Sequence, residues 1–497
     1  MLNLLLALAS GILLILTFPR FDFPYLITVA LTPLLIAAAR EPRGTRRFLL
    51  GWLTGASCLA GITDWIRFVI TFHGKLTDAA GWPVFLLYCA AKGLYFGLFA
   101  WLAGPLLRIS WAIPAIAALW VSVDVTAGQW MYVWVTFGNA GADMSVPLRL
   151  APLAGVHALS FVFMMMATAC ALLVLRRPRL HLAWLLPLPL LWLLPELPAP
   201  AEPQAEAAVV QPNVDEETGW TRESTDVFHR RMVALSLQSI FEPGHVKPDL
   251  VVWPEVPAPL YPDDDALFRR HIEALAMNTG LPVLFGGVAH TSKGAPLNSA
   301  FLYSPHGTQV SRYDKIHLVP FGEFVPWPLA AVTEKISGEV GDFEAGTSIV
   351  VSRVGRRQAA SFICYESAFP GLVRSFVHEG AEVLFNLSND GYFGRSPSAR
   401  GQHLLLVRMR AAENRRWILR ATNDGITAAV DPAGRVVKRM PSFAQSAGRL
   451  PFSYVDEETF YTRHGAWFPI VCFLIAAPAL LLNIQHFIGT GGGVAEE

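Results

Sequence analysis

Seven apolar runs of membrane-spanning length crowd the first 200 residues, at 2–18, 24–39, 48–70, 82–107, 111–127, 150–175 and 182–197. An eighth, 467–487, stands alone near the C-terminus. Each could carry a helix across roughly 30 Å of hydrocarbon, so a fold confined to water is excluded. Composition agrees: 53% of residues are hydrophobic and only 16% charged, with a mean hydropathy of +0.40. Lys+Arg 39 balances Asp+Glu 39, which leaves no basic surplus for nucleic-acid phosphates. The first run has no basic residue in Met1 to Asn3, and no small-x-small cleavage site follows its apolar stretch before Pro19-Arg20, so it reads as a retained helix.

Basic residues orient the spans. Arg40, Arg43, Arg46 and Arg47, then Arg108, then Arg176, Arg177 and Arg179 fall in alternate short loops, which are therefore expected in the cytoplasm. The other loops carry only Arg20, Arg67, Lys75 and Arg149. Seven crossings from a cytoplasmic N-terminus would deliver the chain outside after residue 197, and an eighth would return the tail to the cytoplasm. The expected domains are a seven-helix membrane part at 1–200, an outside domain at 201–464, and a last helix with its tail at 465–497. Lys92 falls mid-helix, where an ammonium calls for a partner or a wet cavity. It reads either as a lipid-headgroup contact or as a structural pair with Asp64 or Asp124.

Past the Pro-rich hinge 197–203 the pattern changes to short β-rich runs alternating with helical stretches that have charged faces. That is the α/β pattern. Strands are predicted at 207–211, 250–253, 283–286, 300–303, 360–363, 383–386 and 417–422, and helices at 224–241, 266–278 and 403–414. Glu255, Cys364 and Asn386, with Asn389 and Asp390 close behind, fall at or just past the C-terminal ends of three of these strands. α/β sheets place ligands and chemistry there.

Five cysteines occur, and Cys58, Cys89, Cys170 and Cys472 lie in apolar runs as small hydrophobes. Cys364 alone falls in the outside domain, where it has no disulfide partner. It is either an inert buried thiol or a nucleophile. A nucleophile needs a base and a donor for the oxyanion. Glu255, after a very apolar strand, can act as base and then acid if burial raises its pKa. His317 and His403 offer no obvious dyad. Lysine is scarce, seven of the 39 basic residues, and Lys315 sits among apolar, Gly and Pro residues rather than in a charge run. Lys315 is either part of a site or the partner of Asp314 in a surface ion pair.

Three motifs in order carry a family resemblance: Trp253-Pro-Glu255, then Tyr313-Asp-Lys315 running to Phe-Gly-Glu323-Phe-Val-Pro, then Cys364-Tyr-Glu366 with Phe369-Pro. They resemble the Glu-Lys-Cys triad of the nitrilase superfamily. With seven helices before and one after, the chain resembles that superfamily's membrane-bound branch, the bacterial apolipoprotein N-acyltransferases. Gly61 to Trp65 and the blocks 386–390 and 420–423 extend the resemblance over nearly the whole chain.

The resemblance implies a polytopic α-helical membrane domain of eight transmembrane helices. It also implies an α/β nitrilase-like domain, a four-layer αββα sandwich on the periplasmic side of the inner membrane. Glu255 would be the general base, Lys315 the oxyanion stabiliser and Cys364 the nucleophile. Glu323, Glu366, Asn386 and the backbone N–H of Tyr365 would support them. Phe324, Trp327 and Leu329, in an apolar stretch after the lysine motif, would form a substrate-entry loop. The implied donor is a glycerophospholipid such as phosphatidylethanolamine, and the acceptor is a diacylated apolipoprotein. No cofactor and no metal are expected. The rivals are a membrane-tethered nitrilase-like amidase and a non-catalytic lipid or lipoprotein binder. Tyr392 stands where the family usually has Trp, and Asp64 replaces a common Asn.

Overall fold

The computed structural model describes residues 1–130, 134–320, 322–324 and 343–490. The chain divides into two compact units, one made of 1–71, 76–197 and 464–497 and the other of 72–75 and 198–463.

The first unit is helical and apolar. Asp78–Leu106 and Val156–Val174 are long and apolar enough to cross a membrane. Asp78–Leu106 has 29 residues, which at 1.5 Å each span about 43 Å, and Thr77 caps it by accepting from Ala80 N at 3.3 Å. Gly44–Ile62 lies against it through small residues. A Cβ on Gly93 would stand 2.9 Å from Ala56 N, so the contact is backbone to backbone, as membrane helices pack without a hydrophobic force between them.

Three expected spans differ from simple helices. The run 24–39 is a 3-10 segment, Pro24–Thr28, followed by the nine-residue helix Thr32–Arg40. The run 48–70 is broken at Thr63–Asp64, where Gly44–Ile62 and Trp65–Phe72 bend by 71°, and Arg20 pairs with Asp64 at 2.9 Å. The run 182–197 is not an α-helix. It forms two 3-10 segments, Arg179–Leu185 and Leu188–Leu193, because Pro187, Pro189 and Pro195 inside the run remove donors and block the i−4 carbonyls of an α-helix. Lys92 and Asp124 line one cavity of about 70 Å³ with Tyr95 and Trp120.

The second unit carries two six-stranded sheets. The first comprises β1 (Ala205–Gln211), β2 (Leu250–Val252), β3 (Val283–His290), β4 (Pro296–Tyr303), β5 (Gln309–Asp314) and β12 (Ser446–Phe452), ordered 12-1-2-3-4-5. The second comprises β6 (Val351–Val354), β7 (Arg357–Ile363), β8 (Val383–Ser388), β9 (Ile418–Thr422), β10 (Ala428–Val430) and β11 (Val436–Arg439), ordered 11-10-9-8-7-6. β1, β2 and β3 run parallel, as do β7, β8 and β9, with antiparallel strands outside them.

Strand alternation sorts the core into layers. Ala207, Val209, Leu250 and Val252 share a core with Phe362, Leu384 and Leu419 of the other sheet. Ala208, Val210, Val251 and Val283 instead pack against Phe228 and Met232 of helix Arg222–Ile240 and Phe268 and Ile272 of helix Ala266–Thr279. Val373 and Phe376 of helix Pro370–His378 and Val407 and Ala411 of helix Pro397–Asn414 cover the second sheet. The layers are helices, sheet, sheet, helices. β5 is antiparallel to β4, itself antiparallel to β3, so β5 runs in the same direction as β2 and β3. The chain therefore leaves β2 and β5 at the same edge of their sheet, and that edge carries Glu255 and Lys315.

Candidate active site

Each of the three motif residues follows a strand. Glu255 comes three residues after β2, Lys315 directly after β5 and Cys364 directly after β7. Gly286 on β3 lets the base approach: a Cβ there would stand 3.0 Å from both Glu255 Cα and Pro254 O.

Lys315 is 1% exposed and lies between two carboxylates, with Nζ 2.9 Å from Glu323 Oε1 and 3.5 Å from Glu255 Oε1. Burial penalises the ammonium, but Glu323 and Glu255 outweigh it and hold the group well above its ordinary pKa. Asn298, in the middle of β4, uses both amide hydrogens on this pair: Nδ2 donates to Glu255 Oε1 at 2.7 Å and to Glu323 Oε1 at 2.6 Å. Its carbonyl accepts from Lys315 N at 2.8 Å. Val319 N donates to Glu323 Oε2 at 2.7 Å, and Asn389 N donates to Glu255 Oε2 at 2.9 Å. Glu255 thus meets two N–H donors, from Asn298 and Asn389, and the Lys315 ammonium.

Cys364 takes φ +50°, a left-handed conformation that disfavours a side chain. It opens the turn Cys364–Ala368, which leads into helix Pro370–His378 with proline in its first turn. Burial raises the thiol pKa and Glu255 adds to the rise, while Lys315 and a hydrogen bond with Ser388 oppose it. The resting thiol therefore keeps its proton, and a base must take it.

Glu366 joins the two halves of the site. Its Oε1 accepts from Tyr313 Oη at 2.6 Å, Ile316 N at 2.7 Å and His317 N at 3.2 Å, and its Oε2 accepts from Ile363 N at 2.7 Å. One buried carboxyl thus ties the segment after Lys315 to the strand end that presents Cys364. Burial pushes it up to about 7, and these donors oppose that shift.

Asn386 lies one layer deeper. Its Nδ2 donates to Phe362 O at 3.3 Å, and its Oδ1 accepts from Arg420 Nη1. Phe324 follows Glu323 and forms an isolated bridge with Pro320. Trp327 and Leu329 lie outside the described residues.

The model of the carbon-nitrogen hydrolase family matches residues 206–455, and that of the apolipoprotein N-acyltransferase N-terminal domain matches 10–169. A Geobacter metallireducens apolipoprotein N-acyltransferase is 32% identical over 97% of this chain and 95% of its own length. The chain belongs to the apolipoprotein N-acyltransferases, in the nitrilase superfamily. Relatives with the same name from Pseudomonas syringae pv. tomato and Azotobacter vinelandii are 30% and 32% identical. They cover 96% and 93% of this chain, and the chain covers 96% and 92% of theirs. Among solved structures, an amidase from Nesterenkonia sp. is similar at 20% identity, covering 53% of this chain and 94% of its own, with a TM-score of 0.39.

Several residues at this site were not singled out by motif. Asn298 is one; its signal is an amide inside a largely apolar, buried strand, Pro-Leu-Asn-Ser-Ala-Phe-Leu-Tyr. Glu216 is another. Its Oε1 accepts from Asn389 Nδ2 at 2.6 Å, so one residue joins it to Glu255. Burial pushes Glu216 up to about 7, opposed by the Asn389 hydrogen bond and assisted by Asp424, Glu255 and Asp215. Tyr392 stacks on His73, ring centroids 4.3 Å apart and 20° from parallel. His317 stacks on Phe369 at 3.8 Å, and His403 is fully buried beneath Cys364.

Proposed function

We propose that Glu255, Lys315 and Cys364 transfer an acyl chain from a glycerophospholipid, phosphatidylethanolamine being the expected donor, to the α-amine of a diacylglyceryl-cysteine. Glu255 takes the Sγ proton as the sulfur attacks the ester carbonyl. Lys315 Nζ and the Tyr365 N–H hold the resulting oxyanion. On collapse the carbon–oxygen bond to glycerol breaks, Glu255 returns the proton to the departing oxygen, and a lysophospholipid leaves. The amine then attacks the thioester, Glu255 takes its proton, the carbon–sulfur bond breaks, and the proton passes to the sulfur. An amide is more stable than a thioester, so the second half runs downhill without an external energy source.

The observation that carries this reading is the pair of carboxylates sharing one buried ammonium, beside a buried thiol on a strained strand end. Asn298 fixes the pair by donating to both carboxylates. Glu366 then acts on placement rather than on the substrate.

We propose further that residues 1–200 and 465–497 make eight crossings of a bacterial inner membrane, with both termini cytoplasmic and residues 201–464 periplasmic. The arginine-rich alternate loops support that orientation. A 3-10 stretch at 179–193 advances about 2 Å per residue, or roughly 30 Å in all, and Leu180, Leu186, Trp192 and Leu193 are exposed as lipid-facing side chains would be. Both substrates are anchored in one leaflet, which makes an apolar entry loop at Phe324, Trp327 and Leu329 useful for admitting them sideways.

Intact-protein mass spectrometry of the detergent-purified protein tests the reading. Incubation with phosphatidylethanolamine is expected to add an acyl mass that hydroxylamine removes and that Cys364→Ala lacks. Free fatty acid as the main product whatever amine is supplied would favour the hydrolase instead. The absence of both an acyl mass and lysophospholipid would overturn acyl transfer from this donor.

A further inference from the structure

Beneath Cys364 lies a charged network in which every side chain is fully buried: His403, Asp390, Arg420 and Asn386 are each 0% exposed. His403 Nε2 is 3.0 Å from Cys364 O, and Nδ1 is 3.0 Å from Arg420 Nη2 and 2.9 Å from Asp390 Oδ1. Arg420 Nη2 also donates to Asp390 Oδ1 at 2.5 Å, and Nη1 donates to Asn386 Oδ1. A carbonyl oxygen can only accept, so the contact with Cys364 O requires a proton on Nε2, and a neutral ring then accepts from Arg420 at Nδ1. Burial and the Arg420 charge keep the ring neutral. His403 therefore donates to the carbonyl of Cys364.

That carbonyl belongs to the same peptide group as the Tyr365 N–H. The group is planar, with its C=O and N–H pointing to opposite sides. A donor that fixes the carbonyl from below fixes the direction of the N–H above it. A hydrogen bond accepted at the carbonyl also polarises the amide and makes its N–H a better donor, by roughly 10–30% per bond. The position is otherwise strained, since Cys364 has φ +50° and strained backbone persists only where its surroundings over-determine it.

We infer that His403, braced by Arg420 and Asp390, is a positioning residue that orients and polarises the Cys364–Tyr365 peptide so that the Tyr365 N–H meets the oxyanion. The inference rests on the proposed thioester at Cys364 and on Tyr365 N–H as an oxyanion donor. His403 touches neither substrate, and its effect reaches the reaction through one peptide plane. The helix Pro397–Asn414, which carries His403, thereby becomes part of the oxyanion site.

The test compares His403→Phe, which keeps a ring of similar size without a donor, with His403→Gln, whose Nε2 can still reach the carbonyl. Each full-length variant is acylated with phosphatidylethanolamine carrying a ¹³C-labelled ester carbonyl, and the thioester carbonyl stretch is read by isotope-edited infrared spectroscopy. Removing one oxyanion donor outright lowers turnover about 10²–10³-fold, so loosening one is expected to lower kcat roughly 10–100-fold with KM within about threefold. The His403→Phe band is expected to move up toward that of a thioester in water, and His403→Gln is expected to restore both band and turnover. Should His403→Phe fail to fold, His403→Asn, too short to reach Cys364 O, replaces it. An unmoved band with unchanged kcat in a folded non-donor variant overturns the inference, as does a His403→Gln that behaves like the non-donor. Absence of any acyl mass on wild-type Cys364 is a different result: it removes the reading beneath the inference rather than His403's part in it.

Discussion

Replacing Lys315 with methionine tests the centre of the site, because two effects of known size part company there. The methionine keeps the stem and deletes the ammonium that Glu323 meets at 2.9 Å and Glu255 at 3.5 Å. Stability falls first. Breaking a buried ion pair by removing one partner costs about 3–5 kcal/mol because the other charge stays buried, and in a domain of this size each kcal/mol moves Tm by about 2–4 °C, for a loss of roughly 6–20 °C. Turnover falls as well, by about 10²–10³-fold, since a charged oxyanion donor is gone. Adding Glu323→Gln to Lys315→Met removes the stranded charge, and Asn298 can still bond the amide. The double variant is expected to recover most of the lost Tm and none of the lost turnover. Thermal unfolding of the detergent-purified proteins and release of lysophospholipid measure the two separately. A single variant within tenfold of wild-type turnover, or a double variant that regains activity along with stability, would refute the assignment of Lys315 to the oxyanion.

Gly286→Ala puts a Cβ against the backbone of Glu255 and Pro254, which cannot yield as a flexible side chain would. It is expected to lower kcat at least tenfold with little change in acyl-donor KM, and unchanged kcat would mean that β3 does not set the base. Glu216 has its pKa raised by burial from 4.5 to about 7, so the folded protein holds a proton there that the unfolded chain releases. Its contribution to stability is full below pH 4.5 and is lost as pH rises through 7. Glu216→Gln should therefore gain in Tm on the wild type between pH 5 and pH 8, and a pH-independent difference would contradict the buried carboxyl. Trp327→Glu is expected to slow turnover of phospholipid in vesicles and to spare a water-soluble acyl ester, and equal effects on both substrates would remove the entry loop.

All seven strands expected from β-rich runs are present, since those runs lie mostly in the middle of the two sheets, where both faces are buried and apolar residues need not alternate. β5 and β11, edge strands rich in polar and exposed residues, gave no such signal. Glu255 and Cys364 stood out because each follows an expected strand directly or within three residues, and Lys315 because lysine is scarce and this one sits among apolar, Gly and Pro residues. Asn298 did not, because its partners Glu255 and Glu323 are 43 and 25 residues away and only the sheet brings them together. His403 did not stand out either, because the carbonyl it meets belongs to Cys364, 39 residues away. In the membrane part, composition announced the apolar spans, but three prolines overrode the helix expected at 182–197. Hydropathy reports what surrounds a segment, and backbone chemistry decides its shape.

Charge is conserved throughout the proposed cycle, and that explains why this site holds two carboxylates around one lysine. At rest Glu255 and Glu323 carry two negative charges against one ammonium, and the thiol is neutral. A thiolate beside an ionised Glu255 would add a further charge in a site where Cys364 is 5% exposed, which is why Glu255 pushes the thiol up rather than down. Transfer of the proton to Glu255 moves a negative charge to the sulfur without creating one. Attack moves it again, from sulfur to the carbonyl oxygen, and collapse returns it to Glu255. Lys315 thus faces the same total charge at every stage, with Glu323 as its constant partner and the second negative charge passing between base, sulfur and oxyanion. A dry site can stabilise such a sequence because nothing in it has to reorganise around a newly formed ion. Glu323 is needed even though it takes no proton: it keeps the ammonium anchored whenever Glu255 is neutral, so the oxyanion always finds Lys315 in place.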